Sequence, residues 1–184
     1  MLQQLRYVFD ELKKRQLFLV TAESLTGGLI AKHITDMPGS SAVFWGGWVT
    51  YSEQAKHYLL AVPHDIMQRF GVVSIETAAA MAKGALAIAS AASGSRCYAL
   101  AVTGLAGPSG ALPELPVGTV CIACAGNEYT PFVYCEKYVF SGTRDDIREQ
   151  TYAAAMQMLA QQLAETSKSN CRKYLDKIKN NKIQ

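Results

Sequence analysis

Long apolar runs are missing from this sequence. No stretch of its 184 residues approaches the roughly 18 that a membrane span requires, and charges run through the first twenty. Neither a span nor a secretory signal is therefore expected. Charge is sparse: 18% of residues are charged against 49% hydrophobic, which excludes a disordered chain and supplies a core without disulfide staples. A disulfide framework is also absent, since the cysteines at 97, 121, 124, 135 and 171 are odd in number and irregular in spacing. Cys121 and Cys124 lie in Val-Cys-Ile-Ala-Cys-Ala. On a strand that odd separation sends the two thiols to opposite faces, so reduced, core-filling cysteines in a cytoplasmic protein are expected rather than a redox pair or half a zinc site.

Basic charge is lacking where a nucleic-acid binder would need it. The net charge is +3, but residues 168–184 alone carry +5 through Lys168, Arg172, Lys173, Lys177, Lys179 and Lys182 against Asp176, leaving −2 for the rest. The body is not a basic nucleic-acid surface. Residues 1–166 are expected to form one domain and 167–184 a basic, solvated tail open to an acidic partner or RNA.

Leu2, Leu5, Val8, Phe9 and Leu12 recur at helical spacing and predict a helix over 2–15. Leu17–Val20 reads as a strand running into the polar segment Thr21-Ala22-Glu23-Ser24, with a helix expected from Thr26 or Gly27 until Met37-Pro38-Gly39-Ser40 breaks it. Residues 42–50 read as a strand in which Gly46-Gly47 marks a bulge or a closely approached backbone. Ser52 opens a short helix carrying Lys56, another begins near Pro63, and Ser74 caps an alanine-rich helix over 75–91. Tyr98–Val102 is a strand. In 103–118, seven of sixteen residues are Gly or Pro, which makes a loop. Val117–Ala125 and Phe132–Phe140 read as an antiparallel hairpin, and Thr143-x-x-Asp146 as a capping box before a helix to about Glu165. This alternation predicts a layered α/β domain with a mixed, mostly parallel sheet, parallel early and antiparallel late.

Ligands gather at the carboxyl ends of strands in such sheets. Ser24 stands there as a candidate nucleophile, with the backbone N–H groups of Thr26, Gly27 and Gly28 as candidate donors to a phosphate or oxyanion. Serving only to cap the helix is the alternative role of this segment. No G-x-S-x-G elbow surrounds Ser24, and His33, His57 and His64 lack a triad setting, which leaves lysine as its base. Tyr51 and Lys56 follow the second strand to the same edge. A desolvated lysine serves as base near neutral pH, and a tyrosine relays the proton or orients the lysine. Thr103, Gly104 and Gly107 open a loop suited to cradling a phosphate or sugar. Arg144 and Arg148 stand one turn apart facing one way, a pairing that calls for an anion from a substrate phosphate or from Asp145 and Asp146.

These pieces occur together: Thr-Ala-Glu-Ser-x-Thr-Gly-Gly at 21–28, Pro-Gly-Ser-Ser at 38–41 and Tyr-Ser-x-x-Ala-Lys at 51–56 come first. Gly-x-Val-Ser at 71–74, Ala-Val-Thr-Gly-x-Ala-Gly-Pro at 101–108 and Pro-Val-Gly-Thr-Val at 116–120 follow. Over roughly residues 5–165 the chain resembles the C-terminal domain of the CinA competence/damage-inducible proteins, the nicotinamide-nucleotide amidase family. The resemblance implies a three-layer α/β/α fold and hydrolysis of nicotinamide mononucleotide to nicotinate mononucleotide and ammonia, without metal or cofactor. It implies Ser24 as nucleophile, Lys56 as base, Tyr51 as relay or orienting group, and Arg144 as a substrate contact. A homodimer acting on a small pyridine nucleotide is the form it leads one to expect.

The chain departs from that pattern in four places. Glu53 replaces a frequent Asn, Ser109 a glycine, Leu115 a lysine and Leu25 a cysteine. A carboxylate three residues from Lys56 is expected to favour its charged form and blunt it as a base. A nucleotide-binding or regulatory module of the same fold is the alternative function.

Overall fold

A computed structural model describes residues 2–112 and 114–181, with side chains described over 3–112 and 114–168. Helix α1 spans Leu2–Arg15 and strand β1 Phe18–Glu23. Helix α2 (Leu29–Thr35) and a single 3-10 turn at Ser40–Ala42 lead to β2 (Phe44–Val49). Helices α3 (Glu53–Leu60), α4 (His64–Phe70) and α5 (Ile75–Ser93) follow. Strands β3 (Cys97–Gly104), β4 (Thr119–Gly126) and β5 (Phe132–Val139) precede α6 (Arg144–Asn181).

The strands form one sheet in the order β2-β1-β3-β4-β5. β1 pairs parallel with β2 and β3, whereas β3–β4 and β4–β5 pair antiparallel. Only β4 is therefore reversed, and the C-terminal ends of β1, β2 and β3 share one edge. Alternation along the strands divides the core in two. Tyr98, Leu100, Val102, Val120, Ile122 and Cys124 face α1, α2 and α6. Cys97, Ala99, Ala101, Cys121, Ala123 and Ala125 face α3, α4 and α5. Cys121 and Cys124 thus lie on opposite faces, as the strand period requires. The architecture is three-layered, α/β/α.

The second face is built from small residues, and α5 answers with its own: Ala78, Met81, Ala82, Ala85 and Ala89 are its buried side. By length and composition α5 is apolar enough to cross a membrane, which corrects the expectation that no stretch approaches a span. Its hydropathy comes from alanines broken only by isolated charges, so no unbroken apolar run announces it. The same alanines let the helix sit close upon the sheet.

Other bounds move for local reasons. β1 continues to Glu23 because parallel pairing with both neighbours extends through Ala22 and Glu23. α2 begins at Leu29, later than expected, because Gly27 and Gly28 take positive φ angles of 59° and 96° and form a turn. At Gly46-Gly47 the structure has both a bulge and a close approach: pairing shifts register between Leu19 and Val20, and a Cβ on Gly47 would lie 2.2 Å from Thr21 Oγ1. Helix α6 runs well beyond Glu165, for no Gly or Pro occurs between 144 and 181 to stop it. From residue 169 onward the expected basic tail lies outside the described side chains.

One contact on α5 sets the position of α3. A Cβ on Gly84 would lie 1.9 Å from the Leu60 carbonyl oxygen at the end of α3. Gly→Ala inside a helix normally gains about 1 kcal/mol. Here the sign reverses, and Gly84→Ala is expected to cost about 1–3 kcal/mol by forcing the two helices apart. Thermal denaturation checks this; a variant as stable as wild type would show that α3 moves freely.

Candidate active site

The site forms where three strands end side by side. The Ser24 N–H donates to Val102 O at 3.1 Å and the Thr50 N–H to Glu23 O at 2.7 Å, carrying the pairing one residue past β1 and β2. Ser52 then caps α3, its Oγ accepting from the Ala55 N–H at 3.0 Å. That start turns Lys56 back over the sheet edge, where its side chain is fully buried. Lys56 Nζ donates to Thr50 O at 2.8 Å and to Ser24 Oγ at 3.0 Å. Neither acceptor carries a charge.

An amine so placed resists protonation. Burial pushes Lys56 down from 10.5 to about 8, against a smaller opposing pull from the charge of Glu53. The expected blunting by Glu53 has the anticipated sign but is outweighed by desolvation. Lys56 has turned inward, while Glu53 stays exposed on the first turn of α3.

A cavity of about 500 Å³ opens over this pair, within the range of small-molecule sites. Ser24, Tyr51, Glu53, Lys56, Thr103 and Arg144 line it, and Gly104, Gly107 and Ser109 lie along its loop wall. Thr103 Oγ1 donates to Val72 O at 2.8 Å and ties that wall to the α4–α5 connection. Arg144, in the first turn of α6, donates to Gly107 O at 2.7 Å and to the Tyr51 hydroxyl at 2.9 Å. Tyr51 is 62% exposed, and its hydroxyl is engaged with Arg144 rather than with Ser24 or Lys56.

Thr26, Gly27 and Gly28 are placed differently from expectation. None of the three lines the cavity. The Gly27 N–H donates to Ser24 O at 3.1 Å. The N–H groups of Gly28, Ile30 and Ala31 all donate to the Glu23 carboxylate, at 2.8–3.0 Å. The positive end of α2 is thus already satisfied by a buried side chain of the protein, and those donors are committed. The Thr26 carbonyl accepts from Arg148 Nη2 at 2.7 Å, so Arg148 braces this turn while Arg144 enters the cavity. Asp145 meets Arg148, and Asp146 caps α6 by accepting from the Thr143 N–H at 2.8 Å. His33, His57 and His64 lie outside the cavity lining.

Two contributors escaped the sequence reading, Glu23 and the Thr50 carbonyl. Glu23 leaves a signal, because a carboxylate ending a buried strand just before Gly-Gly has a helix N-terminus as its nearest partner. The Thr50 carbonyl leaves none, since any residue supplies one.

Fold and site together define a three-layer α/β/α protein with a buried serine–lysine pair at the carboxyl edge of its sheet. Residues 3–163 match the family model of the CinA C-terminal domain, and the chain belongs to that family. It is 44% identical over 158 residues to a putative competence-damage inducible protein of Symbiobacterium thermophilum, covering 83% of this chain and 36% of that one. It is 50% identical to a CinA-like protein of Geotalea uraniireducens, covering 79% and 33%. The chain therefore spans about a third of the length of the curated relatives it matches. Among solved structures, the competence/damage inducible protein CihA from Agrobacterium tumefaciens is 39% identical with a TM-score of 0.78, covering 85% of this chain and 92% of that one. The competence damage-inducible protein A from Klebsiella pneumoniae is 29% identical with a TM-score of 0.80, covering 88% and 96%.

The buried amine makes stability depend on pH in a defined direction. Lys56 binds its proton less tightly folded than unfolded, so between pH 8 and 10.5 the unfolded chain holds more protons and stability rises with pH. Below pH 8 both states are protonated and the contribution is flat. Relative to Lys56→Met, wild type is expected to gain roughly 3 kcal/mol across that window, measured by denaturant unfolding. A difference that stays constant with pH would show that the amine is not desolvated.

Proposed function

We propose that this domain is an amidohydrolase converting nicotinamide mononucleotide to nicotinate mononucleotide and ammonia, by a serine–lysine mechanism, in pyridine-nucleotide salvage. The observation that carries this reading is the 3.0 Å contact between Lys56 Nζ and Ser24 Oγ at the floor of the cavity. At pH 7 an amine with a value near 8 is neutral in about a tenth of molecules, against roughly one in 3,000 for an ordinary lysine. Burial therefore converts an inert cation into a working base.

In the proposed reaction Ser24 Oγ attacks the carboxamide carbon as neutral Lys56 takes its proton. The tetrahedral adduct collapses when the Lys56 ammonium gives that proton to the departing nitrogen, releasing ammonia and leaving an ester on Ser24. Water then attacks the ester, with Lys56 accepting its proton and returning one to Ser24 Oγ, and the carboxylate product departs. Arg144 takes the nucleotide phosphate, held ready by Tyr51 and Gly107 O. Thr103, Gly104 and Gly107 supply the wall against which the nucleotide lies. Gly27, Gly28 and Thr26 fix the turn that follows Ser24, through the Ser24 carbonyl, the Glu23 carboxylate and Arg148 respectively.

Ammonia release from nicotinamide mononucleotide tests the reading. Ser24→Ala and Lys56→Ala are each expected to lower kcat at least about 10³-fold. For wild type, kcat/KM should rise about tenfold per pH unit and level off near pH 8. Arg144→Ala should raise KM about 10-fold or more while changing kcat less. No turnover by well-folded wild type would defeat the proposal.

A further inference from the structure

Glu53 is the one carboxylate among the residues lining the cavity about Ser24 and Lys56. It stands on the first turn of α3, three residues before the lysine, and is exposed. No described hydrogen bond or ion pair engages it, in contrast to Glu23, whose oxygens are filled by three N–H groups. Arg144 occupies a different wall, at the start of α6. The cleft thus offers a free anion near the lysine and a held cation farther along the chain's other wall, which is a lining suited to a zwitterion.

The proposed substrate has its charges in the matching order. Its ring cation is bonded to the reacting carboxamide, and its phosphate lies at the far side of the ribose. With the carboxamide carbon at Ser24, the pyridinium ring must lie beside Lys56. Lys56 is mostly protonated when substrate arrives at neutral pH. Two cations would then face each other across the cleft, and their repulsion opposes binding. A carboxylate on the same turn offsets it.

Resting on the mononucleotide reading, we infer that Glu53 is the specificity determinant for ring charge: its carboxylate seats the pyridinium cation and selects it over a neutral ring of the same shape. The charge pair lies in a half-open cleft, which limits its worth to about 1 kcal/mol, or roughly fivefold in affinity.

Calorimetric titration tests this with the Ser24→Ala protein, in which turnover is stopped. The two ligands are nicotinamide mononucleotide and its 1,4-dihydro form, which lacks the ring charge. Ser24→Ala is expected to bind the cationic ligand about fivefold more tightly, and Ser24→Ala/Glu53→Gln to bind both about equally. Circular dichroism checks that the double variant is folded, as an exposed position on a helix surface leads one to expect. An unchanged preference in the double variant overturns the inference while leaving the amidase reading intact. An equal loss of affinity for both ligands also overturns it, since the carboxylate would then be reading the ribose. Binding of neither ligand by folded Ser24→Ala defeats the mononucleotide reading, and this inference with it.

Discussion

The molecule depends on keeping one amine out of water without giving it a countercharge. Lys56 is fully buried, and its two hydrogen bonds go to a backbone carbonyl and a hydroxyl. Had a carboxylate met it inside, the pair would have been held charged and the lysine would be a structural cation. Every element around the cleft serves this arrangement. β2 delivers the Thr50 carbonyl, β1 delivers Ser24, and the Ser52 cap fixes the angle at which α3 leaves the sheet. α3 is short, and its far end is seated against α5 at a point with no room for a methyl group. Stability is given up to hold the amine there, in the manner of sites that trade folding free energy for reactivity.

The two faces of the sheet divide the labour that makes such a site rigid. Leucine, valine and tyrosine on one side carry the bulk of the apolar burial against α1, α2 and α6. Alanine and cysteine on the other side contribute less area but allow close approach. Precision is found on the second face, where α5 sits and where α3 takes its bearing. The cysteines fit this pattern as small hydrophobes. Burial pushes Cys121 up to about 11 and moves Cys124 further in the same direction, so neither thiol is a nucleophile at neutral pH.

Much of this was legible before any coordinates. The strands announced themselves by short apolar runs, the helices by spacing and by the caps at Ser52, Ser74 and Thr143. Ser24 and Lys56 were legible as a pair because both follow strands that end on one edge, and because histidine was excluded. Residues 26–28 were harder. A Thr-Gly-Gly run before an apolar helix reads as a row of free donors, and only the fold shows that the Gly28 N–H goes to Glu23 and the Gly27 N–H to the Ser24 carbonyl. The partner of Tyr51 was also hidden, since Arg144 lies 93 residues away, on the first turn of α6. Local pattern reports what a segment can do; competition for the same hydrogen bond is settled only by tertiary contacts.

The clasp between Arg144 and Tyr51 has a thermodynamic corollary. A guanidinium with two good acceptors already in hand does not wait in bare solvent for a ligand. Two of its five N–H groups are used in this way, and the planar fork keeps the other three in a fixed relation to them. A side chain held this way has less conformational freedom left to lose than a loose arginine would. The clasp is thus a form of preorganisation: ordering done when the chain folds is not repeated at the cleft.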